Sequence, residues 1–272
     1  MPFGPAGIAV LAAAGALMLA GCAGTARPAG TGTGPGAATA AADDTLTVFA
    51  AASLAGSFTE IADRFEAANT GVTVSLNVAG SADLVSQISE GAPADVVATA
   101  DTATMATLAE DGLLAGTDPV VFASNTLEIV VPPDNPAGIR SFADLAAPGL
   151  ALVVCAPQVP CGAATAAVAT AAGVDLTPVS EENAVTDVLG KVASGEADAG
   201  LVYVTDVTAA GDDVLGIPFA EASAAVNEYP IAVVAGRSRN GSAEDRLAAD
   251  FTRFVTGEAG QAVLAEAGFG SP

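Results

Sequence analysis

The sequence contains no histidine and no tryptophan, and only two tyrosines, Tyr203 and Tyr229. Without histidine, the commonest general base and the commonest transition-metal ligand are both missing. Triad hydrolases of the Ser-His-Asp type and zinc enzymes are therefore excluded. Basic residues are nearly as scarce: eight Lys and Arg stand against 31 Asp and Glu, a formal net charge of −23. That field repels phosphate backbones and anionic membranes, which excludes a nucleic-acid binder. Lys191 is the sole lysine and Arg27 falls in a Gly- and Ala-rich stretch, leaving one Lys and six Arg for the folded part. Any anion held there must be held mostly by groups other than cationic side chains. The carboxylates form no D-x-D-x-D-G loop and no isolated pair on a common face, so they read as a solvated acidic surface.

The chain has 272 residues, 51% of them hydrophobic, enough for one large domain or two smaller lobes with their own cores. Residues 8–20, "IAVLAAAGALMLA", are an apolar stretch too short to span a bilayer comfortably but suited to the core of a signal peptide. No Lys or Arg precedes it. It closes on "LAGC", Leu19 to Cys22, which resembles the lipobox of bacterial lipoproteins, in which the cysteine is lipidated and becomes the first mature residue. The expectation is a signal peptide over 1–22, lipidation at Cys22, and a flexible Gly/Thr/Pro/Ala tether over 23–44. Export would bring the chain to an oxidising compartment, where Cys155 and Cys161 in "CAPQVPCG" can pair. So short a ring contributes only about 2 kcal/mol by chain entropy, so a bridge here would chiefly fix a loop shape. A catalytic cysteine is disfavoured because no histidine exists to activate it.

From Leu46 onward, short apolar strands alternate with helix-period segments. "LTVFAA" leads to a helix over 54–68, "VTVSLNV" to 82–90 and "DVVATA" to 102–110. A second series runs "LEIVVPP", "ALVVCAP" into 162–172, a helix over 184–194, and "AGLVYVT" into a short segment at 205–210. "YPIAVVAG" and helices around 243–256 and 258–267 close the chain. Such alternation predicts an α/β fold with parallel strands. "ISEGAPADVVATAD" and "VASGEADAGLVYVTD" echo each other, a weak repeat that suggests two similar Rossmann-like lobes. The chain is expected to cross between them twice, near 123–127 and 226–229. Lobe I would then be discontinuous, 45–126 with 227–272, and lobe II would span 127–226. The cleft beyond the strand ends is where such folds bind ligands.

Four strand-to-helix junctions carry the chemistry. Ser53 in "TVFAAASLAGSF" and Ser81 in "VAGSADLVSQI" follow small residues. Cys161 and Gly162 open the helix of "VPCGAATAAVA", and Asn183 in "EENAVTDVLGKV" is expected as a cap ahead of Val185. Each junction taken separately is explained by ordinary helix capping. Their recurrence in both lobes points to a site. Each helix N-terminus carries roughly half a positive charge, so four converging on a cleft offset about two negative charges without any Lys or Arg. A small dianion fits that sum.

The segments "TVFAAASL", "GSADLVSQISEGAPADVVATAD", "VPCG", "VLGKVASGEADAGLVYVTD" and "FTRFVTGEAGQAVLAEAGF" together resemble the molybdate-binding proteins of ABC importers, in order and spacing over residues 45–270. The resemblance implies a type II periplasmic binding protein fold: two α/β lobes with mixed, mostly parallel sheets joined by a two-crossing hinge. It implies a tetrahedral oxyanion, molybdate or tungstate, as ligand, and no cofactor. Ser53 and Ser81 would give hydroxyl and backbone donors, Cys161 and Val185 backbone N–H groups, and Tyr203 its phenol. Metal would thus be held only through the oxyanion's oxygens. Cys161 departs from the family, which often has alanine there, a change a backbone donor tolerates. The implied partner is an ABC permease in the cytoplasmic membrane, reached by a monomer tethered outside the cell. Rivals are a binder of another oxyanion such as sulfate, a secreted hydrolase with Ser53 as nucleophile, and an adhesion lipoprotein.

Overall fold

The computed structural model describes residues 44–116, 118–235 and 243–272. The expected signal segment, Cys22 and the tether as far as residue 43 lie outside the described residues. No helix among the described residues is long and apolar enough to cross a membrane.

Among the described residues, nine strands and eight α-helices follow one another in chain order. They are β1 (Asp44–Ala51), α1 (Ala55–Ala68), β2 (Val72–Ala79), α2 (Ser81–Ser89), β3 (Val96–Ala98), α3 (Thr102–Glu110), β4 (Val120–Val131), β5 (Leu152–Cys155) and α4 (Pro160–Ala172). After them come β6 (Ser180–Glu182), α5 (Val185–Ala193), β7 (Ala199–Tyr203), α6 (Val204–Ala210), β8 (Leu215–Ile217), β9 (Val226–Val233), α7 (Ala243–Thr256) and α8 (Glu258–Glu266). The helices, α1 included, start and stop within two residues of the sequence expectation. A separate 3₁₀ turn, Ala52–Leu54, precedes α1.

Hydrogen bonding runs through the sheet in the order β2-β1-β3-β9-β4-β7-β5-β6, with β8 also paired to β4. Pairing is parallel at both ends, β1 with β2 and β3, and β5 with β6 and β7. It is antiparallel in the middle, where β9 and β4 lie. The sequence predicts two sheets; in the structure they are joined through β4. That strand pairs with β9 over Val120–Thr126 and with β7 from Leu127 onward. One long strand serves both halves because its 12 residues outlast either partner.

Alternating side chains of β1 explain why the first half is covered on both faces. Leu46, Val48 and Ala50 pack with Phe58, Ile61 and Phe65 of α1 and with Phe251 and Val255 of α7. Phe49, one residue out of that phase, packs with Leu84, Val85 and Ile88 of α2 and with Met105 and Leu108 of α3. The spacing of Phe58, Ile61, Ala62 and Phe65 places one apolar stripe on α1, and Phe58 and Phe65 meet Phe251 edge-on. Burying Phe58 completely is worth about 2–3 kcal/mol. The second core gathers Leu127–Val131 of β4, β5, β7, and the inner faces of α4 and α5, including Val168, Val185, Val188 and Val192. Apart from Ala52, the buried residues of this cluster lie between 127 and 214, and the buried residues of the first half's clusters lie outside that range.

Candidate functional site

Between the two cores lies a cavity lined by Ala51, Ala52, Ser53, Gly80, Ser81 and Ala100 from one half, and by Val159–Cys161, Asn183–Val185 and Tyr203 from the other. All five residues singled out by sequence, Ser53, Ser81, Cys161, Val185 and Tyr203, are brought together here. No charged side chain lines it. Its volume is about 20 Å³, room for a small group only.

The small residues of the junctions are explained by close approach. A Cβ added to Gly80 would lie 2.2 Å from the carbonyl oxygen of Asn183, so the two halves meet directly at this glycine. A Cβ on Gly162 would lie 1.8 Å from the Ala156 carbonyl oxygen, so the turn into α4 closes only with glycine there. Cys155, at the end of β5, and Cys161, in the first turn of α4, have their Sγ atoms 2.06 Å apart and both side chains buried.

Helix starts supply much of the cavity wall. The 3₁₀ turn at Ala52, α2, α4 and α5 begin after Ala51, Gly80, Val159 and Ala184, none of which forms a side-chain cap. First-turn N–H groups have no acceptor within their own helix. Pro160 occupies the first position of α4, where its missing N–H costs nothing, and leaves Cys161 N–H as the first donor of that helix. By contrast α3 is capped conventionally, Thr104 N–H donating to Asp101 Oδ1 at 2.8 Å.

Two expectations are corrected. Ser53 is not a helix cap: it lies inside the 3₁₀ turn, and its Oγ is 3.0 Å from Tyr229 Oη, 176 residues away. Asn183 does not cap α5 either; Ala184 holds the cap position, and the Asn183 backbone is what meets Gly80. Local spacing made both side chains look like caps, whereas folding across the cleft fixes what they touch.

Ser81 is buried in the first turn of α2, and its Oγ accepts from the Ala100 N–H at 3.0 Å. Its own hydroxyl proton remains to be donated. Tyr203 ends β7 with 1% exposure, and its Oη is the one buried side-chain polar atom among the described residues without a hydrogen-bond partner. Burial pushes this phenol well above its ordinary range, with Tyr229, Asp206 and Asp101 adding to the effect, so it stays a proton donor. Burial likewise raises Tyr229, and the bond to Ser53 partly offsets this. Asp206, beside them in α6, accepts from the Tyr203 N–H at 2.9 Å, and burial pushes its carboxyl up to about 7.

Sequence reasoning passed over Tyr229, Gly80 and Asp206. Tyr229 carried a signal, being the only other tyrosine, but nothing local ties "EYP" to Ser53. Asp206 was one carboxylate among many. Among the described residues no group of three or more potential metal ligands occurs.

The family model described as bacterial extracellular solute-binding protein matches residues 46–270. Over 227 residues, 84% of this chain and 85% of the relative, the sequence is 50% identical to a protein named molybdate-binding protein ModA from Mycobacterium tuberculosis (strain ATCC 25618 / H37Rv). It is 32% identical over 206 residues to the Escherichia coli (strain K12) protein of the same name, covering 71% of this chain and 78% of that one. Among solved structures, the Azotobacter vinelandii periplasmic molybdate-binding protein aligns with a TM-score of 0.69 at 23% identity, over 84% of this chain and 99% of that one. The sulfate-binding protein SubI from Mycobacterium tuberculosis H37Rv aligns with a TM-score of 0.65 at 24% identity, over 83% and 86%. At these identities the structural likeness speaks for the fold alone.

Proposed function

This chain belongs to the bacterial extracellular solute-binding protein family, and from that premise we propose that it captures molybdate outside the cell and delivers it to an ABC permease. The observation that carries the ligand class is the cavity wall: hydroxyls, helix-start N–H groups and an unpartnered phenol, with no charged side chain among them. Molybdate at neutral pH is a dianion with no proton to give, so a wall of donors suits it and a carboxylate acceptor would be penalised. We assign Ser53 and Ser81 as hydroxyl donors, Cys161 and Val185 as backbone donors, and Tyr203 as phenol donor. Membership of a solute-binding family sets aside the hydrolase reading for Ser53.

Tungstate, with the same charge and tetrahedral shape, belongs to the same reading. So do the two lobes, 45–126 with 227–272 and 127–226, hinged where β4 and β9 pass between the cores. An oxyanion touching donors from both would favour the closed arrangement, as a ligand must when it binds one state better than the other. The surface charge of −23 opposes approach of an anion at long range. Affinity must then come from short, desolvated hydrogen bonds. We also infer lipidation at Cys22, a tethered monomer, and a Cys155–Cys161 disulfide in the exported protein. Non-reducing mass spectrometry checks the bridge.

The test is titration calorimetry of the mature chain with molybdate, tungstate, sulfate and phosphate. Tight binding of molybdate and tungstate, with sulfate and phosphate weaker, is the expected pattern. Sulfate binding as tightly as molybdate would refute the specificity and favour the alternative of a general sulfate-type binder. Absence of any oxyanion binding would overturn the assignment.

A further inference from the structure

We propose that Tyr229 is a positioning residue for the oxyanion site, its phenol donating to Ser53 Oγ and so aiming the Ser53 hydroxyl proton into the cavity. This rests on the reading of the cavity as a molybdate site. The 3.0 Å separation of Ser53 Oγ and Tyr229 Oη allows either oxygen to donate when considered alone. A fully deprotonated oxyanion removes that freedom. It can only accept, so once Ser53 donates to it, the serine proton is committed and only Tyr229 can donate across the 3.0 Å contact.

Tyr229 is built to hold that direction. Its side chain has 0% exposure, and its ring is fixed edge-on against Tyr203, Phe122 and Phe269 at centroid distances of 6.0, 6.4 and 5.3 Å. It sits on β9 opposite Ala123 of β4, within the strands that pass between the two cores. Burial keeps its phenol protonated.

The same device occurs at the second serine. Ser81 Oγ accepts from the Ala100 N–H, which leaves its proton for the cavity. Each serine therefore has an acceptor position engaged from behind, by a phenol in one case and a backbone amide in the other. Engaging those positions has a consequence for selectivity. Hydrogen phosphate brings a proton that needs an acceptor, and a Ser53 Oγ not already engaged by Tyr229 would offer one. With Tyr229 donating to it, that oxygen is a poorer acceptor, and a protonated anion is disfavoured.

The experiment is calorimetric titration of wild type, Tyr229→Phe, Ser53→Ala and the double variant with molybdate and with inorganic phosphate. Phe retains the ring contacts. Tyr229→Phe should weaken molybdate binding about tenfold when Ser53 is present and less than about twofold in the Ser53→Ala background. The preference for molybdate over phosphate should fall by a similar factor only when Ser53 is present. Equal losses in both backgrounds, or no loss in either, would overturn the role of Tyr229. Failure of wild type to bind molybdate would overturn the ligand reading and this proposal with it.

A second measurement leaves Tyr229 in place. With only two tyrosines in the chain, ¹³Cζ-tyrosine labelling gives two resonances. Both should move on molybdate addition to wild type; in Ser53→Ala the Tyr203 response should persist and that of Tyr229 should shrink to what its ring contact with Tyr203 passes on. A Tyr229 response undiminished by loss of the Ser53 hydroxyl would contradict the proposal.

Discussion

In the proposed site, the half built on β1 and α2 offers side-chain hydroxyls, Ser53 and Ser81, whereas the half built on α4 and α5 offers backbone N–H groups at Cys161 and Val185. The difference decides what mutation can reach. A hydroxyl is removed by one substitution, but an N–H stays whatever the side chain, and can be disturbed only through the shape of its turn. In the second half that shape is held by Gly162 against Ala156, by Pro160 and by the Cys155–Cys161 contact. In the first half it is the proton directions that are held, by Ala100 N–H and Tyr229. Tyr203 stands apart as the single side-chain donor of the second half.

The largest expected effect comes from removing both hydroxyls. Ser53→Ala with Ser81→Ala deletes two hydrogen bonds to a charged ligand, each worth about 1.5–3 kcal/mol, so molybdate affinity should fall roughly 10²- to 10⁴-fold in calorimetry. The ligand-free protein should lose less than the binding free energy does, since what it forfeits is the Ala100 N–H and Tyr229 bonds to these hydroxyls. If stability falls and affinity does not, the serines serve the fold alone and the comparison between the halves fails.

Next comes Gly80→Ala, which sets a Cβ 2.2 Å from the Asn183 carbonyl oxygen and forces the halves apart. Affinity should fall by about tenfold or more without touching any donor, since misplacing donors weakens every hydrogen bond at once. Unchanged affinity would show that this contact is not part of the bound arrangement.

Cys161→Ala with Cys155→Ala should have a smaller effect on binding, a few-fold, because the Cys161 N–H survives. Thermal unfolding should show a loss of about 2 kcal/mol, the worth of so short a ring. A loss of affinity as large as that of the serine pair would mean that the side chains, not the backbone, carry the second half's contribution.

The smallest effect on binding is expected from Asp206→Asn, which keeps an acceptor for the Tyr203 N–H. The carboxyl of Asp206 is raised from 3.8 to about 7, so folding favours its neutral form. That contribution is fully present below the unfolded value and is lost as pH rises through about 7. The variant should therefore melt higher than wild type by a margin that grows from about pH 4 to about pH 8 and then levels off. A margin independent of pH would show that Asp206 is not held neutral by its surroundings.

Much of this was legible in the sequence because a site that admits an ion to the backbone leaves a local trace. Ala51 and Ala52, Gly80, and the Cys161–Gly162 pair are small at the junctions because larger side chains would fill the cavity or the turn. The alternation of strands and helices likewise follows from local periodicity. What was not legible depends on contacts distant in the chain. Ser53 looks like a cap until Tyr229 is placed beside it, and Asn183 looks like a cap until its carbonyl is seen against Gly80. The sharing of β4 between both halves is set by strand pairing, which no single segment encodes. Asp206 is set apart from most of the other acidic residues by being buried, and burial is a property of the assembled fold.

The central claim is that one oxyanion is held by donors from both halves at once. Anomalous scattering at the molybdenum absorption edge, from crystals of the mature protein grown with molybdate, tests it most directly. One strong anomalous peak is expected inside the cavity, enclosed by Ser53, Ser81, Cys161, Val185 and Tyr203. A peak elsewhere on the protein, or one contacting the residues of a single half, would contradict it.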